Sequence, residues 1–277
     1  DVASEIEWAR GTMRTAETYV STAQQARRDP PIPIPDVGAV MRAYQDLKGS
    51  RGVIDFDDVL LLTAAIIDEH PDIAQEVHAR YRHFVVDEYQ DVTPLQQRLL
   101  DAWLGARDSL CVVGDAFQTI YSYGGASPDY LLGFTRRFPA AHVVRLVRNY
   151  RSSPQVVGLA NTLISAAKGV PPGPNIQLES QQREGPDPRL RPYDDDRAEI
   201  RGVVASIRER IAEGVAPSQI AIPYRINAQS ELYEQALTAA GIGYLVRGGE
   251  RFFQRQDVRG AVWLLRGAAK GADAGIV

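Results

Sequence analysis

The chain has 277 residues, of which 44% are hydrophobic and 24% charged, with a formal net charge of -4. That is enough for one large or two ordinary domains with buried cores; it excludes a protein that coats nucleic acid by bulk charge, though not one with a local basic groove. One cysteine, Cys111, excludes disulfide scaffolds and cysteine–zinc sites and points to a reducing cytoplasm; no apolar stretch approaches the roughly 20 residues of a membrane span, and the N-terminus lacks a signal-peptide pattern. The four histidines (His70, His78, His83 and His142) form no His-Glu-x-x-His pattern, so a metalloprotease-type site has no support.

Ile6, Ala9, Met13, Ala16 and Val20 recur at three- and four-residue steps, which predicts helix over residues 1–28. Pro30-Pro31-Ile32-Pro33-Ile34-Pro35 forbids helix and is expected to run extended, as a stiff connector rather than a polyproline ligand. Asp36 is the expected cap of a second helix holding Val40, Tyr44 and Leu47 and ending near Gly49. Asp55 is the expected cap of a helix running to about Glu69, and Pro71 opens the next. Asp55, Asp57 and Asp58 fit no calcium loop; acids near a helix N-terminus are favoured by its dipole, so they read as structural.

Phe84-Val85-Val86 is then a short apolar run that ends abruptly in Asp87-Glu88, followed by Tyr89-Gln90-Asp91. Such a run predicts a strand buried on both faces, as in a parallel sheet, and open α/β sheets bind ligands at the carboxyl ends of their strands. In phosphate chemistry the first acid can hold Mg²⁺, directly or through water, and the second can take a proton from attacking water. A lone Asp-Glu pair would more simply be a solvated acidic turn. The chain continues, however, with a predicted helix from Pro94 to Trp103 and a second apolar strand, Leu110 to Val113, ending in Gly114-Asp115-Ala116-Phe117-Gln118. This βαβ arrangement puts both strand ends on one sheet edge, with Gln118 placed to reach whatever Asp87 and Glu88 hold. The loop Tyr121-Ser122-Tyr123-Gly124-Gly125 carries aromatics two apart, suited to base stacking if exposed; spacing alone favours tyrosines that are half-buried and pack the loop down.

A third strand is expected from His142 to Val147, leading through Arg148-Asn149-Tyr150-Arg151 to a helix from Pro154 to about Lys168. A Pro- and Gly-rich loop (169–174) follows. Further expected elements are strands at Leu190–Tyr193, Gln219–Tyr224 and Tyr244–Val246, and helices at Asp194–Ala212 (with Ile200, Val203, Val204, Ile207 and Ile211 on one face) and Ala228–Ala240, stopped by Gly241. A turn at Gly248-Gly249 and a last helix from Arg255 to Leu265 complete two α/β domains joined near residue 147.

The ordered set Val85-Val86-Asp87-Glu88-Tyr89-Gln90-Asp91, Val113-Gly114-Asp115-Ala116-Phe117-Gln118-Thr119-Ile120-Tyr121 and Asn149-Tyr150-Arg151-Ser152 resembles motifs II, III and IV of the UvrD/PcrA/Rep group of superfamily 1A DNA helicases. Asp55 to Leu60 and Gly248 to Phe253 are similar to further landmarks of the group, and the details are most similar to its actinobacterial, UvrD2-type branch. The resemblance implies two RecA-like, P-loop NTPase-type domains: a helical 1B-like segment at residues 1–50, the later part of motor domain 1A at 51–146 and the first part of motor domain 2A at 147–277. It implies ATP and Mg²⁺ as cofactors. Asp87 would help hold Mg²⁺, Glu88 would deprotonate the attacking water, Gln118 would report on the γ-phosphate, Tyr150 would stack on adenine and Arg151 would act as an arginine finger. Tyr121 and Tyr123 would grip single-stranded DNA.

The implied activity is an ATP-dependent helicase or translocase on single-stranded DNA and duplex junctions, in repair or replication, with DNA-repair proteins as partners and a cytoplasmic, nucleoid-associated location. No Gly-x-x-x-x-Gly-Lys-Ser/Thr occurs in the chain, and the family's motifs V and VI are not found, so an internal fragment with little activity of its own is expected. Phe117 stands where the group usually has a polar residue, Gly124 where many relatives carry Arg, and Tyr123 where Trp is frequent. Two other classes remain open: a non-hydrolysing scaffold subunit of a DNA-processing complex, and a protein–protein interaction module.

Overall fold

A computed structural model describes residues 1–167, 176–247 and 260–264. The chain divides into two compact units, Asp1–Pro188 and Arg189–Val277. The first opens with helices α1 (Val2–Gly11), α2 (Ala16–Gln25) and α3 (Ile34–Arg51). The single helix expected over residues 1–28 is therefore two. Met13 takes a left-handed backbone (φ 58°) and is exposed, and Thr15 starts α2 with a capping box reciprocated by Thr18. Apolar spacing continued across that corner because Ala9 and Ala16 enter the same core, with Trp8, Tyr19, Ala23, Val37 and Met41.

Helix α3 starts inside the proline run, with Pro33 as its cap and Pro35 in its first turn, where a missing N–H costs nothing. Asp36 is thus an acid of the first turn rather than the cap. The helix also runs past Gly49 to a left-handed Gly52 (φ 59°), and Val40, Tyr44 and Leu47 lie on its exposed side.

Helices α4 (Phe56–Glu69), α5 (Pro71–Arg80) and α6 (Pro94–Leu104) share a second core through Ala64, Ile67, Leu99 and Ala102. Asp55 caps α4 as expected, in a box closed by Asp58. Strands β1 (Phe84–Val86) and β2 (Leu110–Val112) pair in parallel, with Val85 opposite Cys111, and α6 crosses between them. The expectation of strands buried on both faces is corrected. Phe84 stacks on Trp103 of α6 (ring centroids 6.4 Å apart), whereas Val85 is 77% exposed and Cys111 is exposed beside it. The short apolar run reported a parallel strand correctly, but α6 covers one face of it only.

Short helices α7 (Asp129–Leu132) and α8 (Phe134–Arg137) follow, then β3 (Arg148–Asn149), α9 (Pro154–Ala166) and β4 (Glu179–Ser180); β3 and β4 pair in parallel. The expected strand at His142–Val147 does not form. Val143, Val144 and Leu146 are exposed, and the ladder begins only where the Glu179 N–H donates to the Val147 carbonyl (2.8 Å).

In the second unit α10 (Asp196–Ala212) is capped by Asp195 and packs on α11 (Ser230–Ala239). The face expected on α10 is the buried one, with Ile200, Val204 and Ile207 meeting Leu237. Residues 190–193, 219–224 and 244–246 form no ladder, which corrects three predicted strands, although Ile220 and Ile222 still pack on this core. Apolar, β-branched composition calls for an extended, half-buried backbone; a strand also needs a neighbour, and none is present among the described residues. Helix α11 ends as expected at Gly241 (φ 69°). Residues 260–264 are helical; the rest of the Arg255–Leu265 helix, the Gly248-Gly249 turn with its motif, and the 169–174 loop lie outside the described residues. No helix among the described residues is long and apolar enough to cross a membrane.

The three aspartates that open α4 are held by cations from two other helices. Arg10 of α1 reaches Asp55 (3.2 Å), Asp57 (3.3 Å) and Asp58, and Lys48 of α3 reaches Asp55 (2.7 Å) and Asp58. Burial alone would raise the Asp58 carboxyl, but hydrogen bonds from Lys48, the Asp55 segment and Arg10 outweigh it and hold its pKa at about 2. A depressed carboxylate contributes stability that is present above its ordinary 3.8 and lost as pH falls from there through about 2. Asp58→Asn should therefore cost about 3 kcal/mol at neutral pH, because it leaves Lys48 and Arg10 under-paired. Asp57, at 32% side-chain exposure with one contact, should cost no more than about 1 kcal/mol. Urea midpoints of the two variants check the order.

Candidate functional site

Parallel pairing of β1 and β2 delivers the two exits of the strands to one edge, and side chains then stitch those exits together. Glu88 has a left-handed backbone (φ 51°, ψ 40°), which in a residue with a side chain costs on the order of 1–3 kcal/mol and persists only where its surroundings over-determine it. They do. The Glu88 N–H donates to Asp87 Oδ1 (2.9 Å), the Tyr89 N–H to the Val113 carbonyl (2.9 Å) and the Asp91 N–H to the Glu88 carbonyl (2.9 Å). Tyr89 is buried and donates its hydroxyl to Gln97 of α6 (2.7 Å); burial raises the pKa of that hydroxyl and keeps it a donor.

Across the gap, the Asp115 N–H donates to Gln90 Oε1 (3.0 Å), and Gln90 Nε2 donates to Glu88 Oε2 (2.6 Å). Asp115 caps a 3₁₀ turn, Ala116–Gln118, and accepts from Gln118 Nε2 (3.0 Å). The Ile120 N–H donates to Asp91 Oδ1 (3.2 Å). Glu88, Gln90, Asp115 and Gln118 thus form one hydrogen-bonded chain. Asp87, Glu88 and Gln118 are exposed along this edge. Asp87 Oδ2 accepts no hydrogen bond among the described residues, so this exposed oxygen is open to solvent or to a cation. No cluster of three or more metal-ligating side chains exists among the described residues to hold a metal by protein alone.

Beyond Gln118, Tyr121 is 51% and Tyr123 57% exposed, their ring centroids 6.0 Å apart. The half-buried packing that spacing favoured is not found. The loop is instead docked on α1 through backbone: a Cβ added at Gly11 would sit 2.8 Å from the Gly124 carbonyl, and Gly125 (φ 96°) presses on Thr12. Arg28 clamps the same loop. Its guanidinium donates to Glu5 Oε1 (2.7 Å) and to the Tyr123 carbonyl (3.4 Å), and lies 4.7 Å from the Trp8 ring centroid. Burial would raise the pKa of Glu5, but hydrogen bonds from Arg28 and Tyr19 bring it below the ordinary value, so the acid stays paired.

Tyr150 is 65% exposed and Arg151 is exposed. No hydrogen bond or ion pair among the described residues joins either side chain to Asp87, Glu88 or Gln118. The strand–helix junction that they occupy is held by Asn149, whose Oδ1 accepts from the Arg151 N–H (3.0 Å) and the Ser152 N–H (2.8 Å), and by Ser180 Oγ, which donates to the Ser152 carbonyl (2.7 Å). Reading the sequence missed Gln90 and Asn149 as the residues that organise the two turns. An amide two residues after Glu88, and an Asn three residues before Ser152 at the start of a turn, were the available signals.

The chain that carries this edge and the turn of Asn149 has the sequence of the UvrD-like helicase family. Residues 11–139 match the UvrD/REP helicase N-terminal domain and residues 144–275 the UvrD-like helicase C-terminal domain, and the chain belongs to this family. It is 55% identical over 270 residues to the ATP-dependent DNA helicase UvrD2 of Mycobacterium tuberculosis, a match that covers 96% of this chain and 38% of the relative. Identity is 35% over 242 residues to UvrD1 of the same organism (83% of this chain, 30% of the relative) and 34% over 227 residues to DNA helicase II of Escherichia coli (82% and 31%). The greater likeness to UvrD2 agrees with the branch suggested by the motifs, and the chain spans well under half the length of these relatives.

The close approach of α1 to the tyrosine loop makes a directional prediction. Gly→Ala in a helix ordinarily stabilises by about 0.5–1 kcal/mol, and Gly49→Ala, with open space around it, should do so. Gly11→Ala should instead destabilise by about 1–3 kcal/mol, since its Cβ would strike the Gly124 carbonyl. Paired thermal melts of the two variants check the opposite signs.

Proposed function

We propose that this chain forms part of an ATP-driven DNA helicase or translocase that moves on single-stranded DNA and engages duplex junctions. In this reading residues 1–50 belong to a 1B-like helical insertion, 51–146 to a RecA-like motor domain 1A and 147–277 to a RecA-like motor domain 2A. What supports it most is the edge formed after β1 and β2, where the exposed Glu88 carboxylate and Gln118 are held by a hydrogen-bonded chain while the neighbouring Asp87, bonded through Oδ1 to the Glu88 N–H, keeps its other oxygen uncommitted. The family relatives named above as ATP-dependent DNA helicases support the same reading.

Asp87 would hold Mg²⁺ on the β- and γ-phosphates of ATP, where the ion neutralises charge that develops on transfer. Glu88 would orient the attacking water and take its proton. Gln118 would contact the γ-phosphate region and pass its presence to the tyrosine loop that follows. Tyr150 would stack on adenine. The Arg151 guanidinium makes no hydrogen bond or ion pair among the described residues and is thereby free to act as an arginine finger when the motor closes on the nucleotide. Tyr121 and Tyr123 would stack on successive bases at about 1–3 kcal/mol per base, largely independent of sequence. Partner proteins of DNA repair and a nucleoid-associated, cytoplasmic location belong to the same proposal.

Two outcomes test it. The 277-residue chain contains no Gly-x-x-x-x-Gly-Lys-Ser/Thr loop and should turn over ATP at well below ~1 s⁻¹ even with single-stranded DNA. In the full-length protein, Arg151→Ala should lower kcat by roughly 10³-fold or more with a smaller effect on ATP affinity, and Lys should rescue poorly for want of a planar fork. Melting temperature should hold, because Asn149 rather than Arg151 secures the junction. A large fall in melting temperature with turnover per folded molecule preserved would refute the finger.

A further inference from the structure

We infer that Gln90 is a positioning residue: its side-chain amide locks the Glu88 carboxylate to the turn after β2, so that the base and Gln118 are set by one buried group. The inference rests on the hydrolytic reading of Glu88 given above.

Gln90 is 1% exposed, and its amide fills the gap between the two strand exits. The sequence makes room for it. A Cβ added at Gly114 would lie 2.6 Å from Gln90 Oε1 and 3.2 Å from the Gln90 amide nitrogen, so a residue with a side chain there would expel it. Each end of the amide has a distinct task. Oε1 accepts the Asp115 N–H (3.0 Å), and Nε2 donates to Glu88 Oε2 (2.6 Å), with a longer contact to Asp91 Oδ2 (3.5 Å). Asp115 accepts in turn from Gln118 Nε2 (3.0 Å), and one residue on, Asp91 Oδ1 accepts the Ile120 N–H (3.2 Å) across the same gap.

Only a group with one acceptor and one donor at its tip can hold both partners at once; a carboxylate offers acceptors alone and an aliphatic chain neither. Glu88 is exposed, and the bond from Gln90 Nε2 is the one hydrogen bond that its carboxylate makes among the described residues, so without it the carboxylate samples several positions. The rival account is that Gln90 only satisfies the Asp115 N–H and fills space.

The test compares DNA-stimulated ATPase kinetics of the full-length wild type, Gln90→Met and Gln90→Glu, with thermal melts of all three. Gln90→Met keeps length and removes every hydrogen bond of the amide. The expected result is a fall in kcat per folded molecule of about 10- to 100-fold, the scale of misplacing a reacting group by about 1 Å, with KM for ATP little changed. Gln90→Glu adds a pH readout. At the alkaline end of the wild-type range, the introduced carboxylate cannot donate and repels Glu88, with Asp91 and Asp115 as further acids beside it. At the acid end, a protonated carboxyl can donate again, so the deficit relative to wild type should shrink as pH falls. Wild-type kcat in Gln90→Met, a loss confined to KM, a Gln90→Glu profile parallel to wild type, or failure of both variants to fold would each overturn the inference. A wild type without DNA-stimulated ATPase would overturn the functional reading itself, whereas an active wild type with an unaffected Gln90→Met overturns only the role given to Gln90.

Discussion

Parallel pairing of Phe84–Val86 with Leu110–Val112 places the acids that leave one strand beside the turn that leaves the other, and every candidate role on this edge follows from that placement. Three residues per strand form a weak ladder. It is extended by the Val113 N–H to the Val86 carbonyl (2.8 Å) and by the Tyr89 N–H to the Val113 carbonyl (2.9 Å), so the hydrogen bonds continue into the functional turn. The left-handed Glu88 is the point at which the chain leaves the ladder, and the buried Tyr89 and Gln90 absorb that strain by anchoring the turn to α6 and to the far strand exit.

A second division of labour concerns what is fixed and what is left free. The tyrosine loop is held by glycine backbone against α1 and by Arg28, which leaves the rings of Tyr121 and Tyr123 outside. The turn after β3 is held by Asn149, which leaves the Arg151 side chain outside. In both places the local structure is borne by the backbone of the residue with proposed chemistry, and its side chain is left out of it. Preorganised supports with uncommitted tips are what a site needs when its ligand arrives later.

Much of this was legible in the sequence, and the reasons differ by element. Asp55 as a cap, Pro71 and Pro154 as helix openers and the apolar face of α10 follow from local rules that tertiary context did not override. The βαβ unit was legible because two apolar runs flank a capped helix. The strands expected at residues 142–147, 190–193 and 219–224 failed because composition reports an extended backbone, while pairing depends on a neighbour far along the chain. The half-exposed face of β1 failed for a related reason: a run of three apolar residues does not say how many layers cover it. Gln90, Asn149 and the Arg10–Lys48–aspartate network were invisible for want of periodicity, since each works through side-chain bonds to residues that only the fold brings near.

A crystal structure of the full-length protein with Mg²⁺ and a non-hydrolysable ATP analogue tests the central claim most directly. The account predicts the terminal phosphate between the Glu88–Gln118 edge and Arg151, with the Gln90 bridge from Glu88 to Asp115 intact. A terminal phosphate bound away from that edge, or a bound state in which Gln90 contacts neither partner, would contradict it.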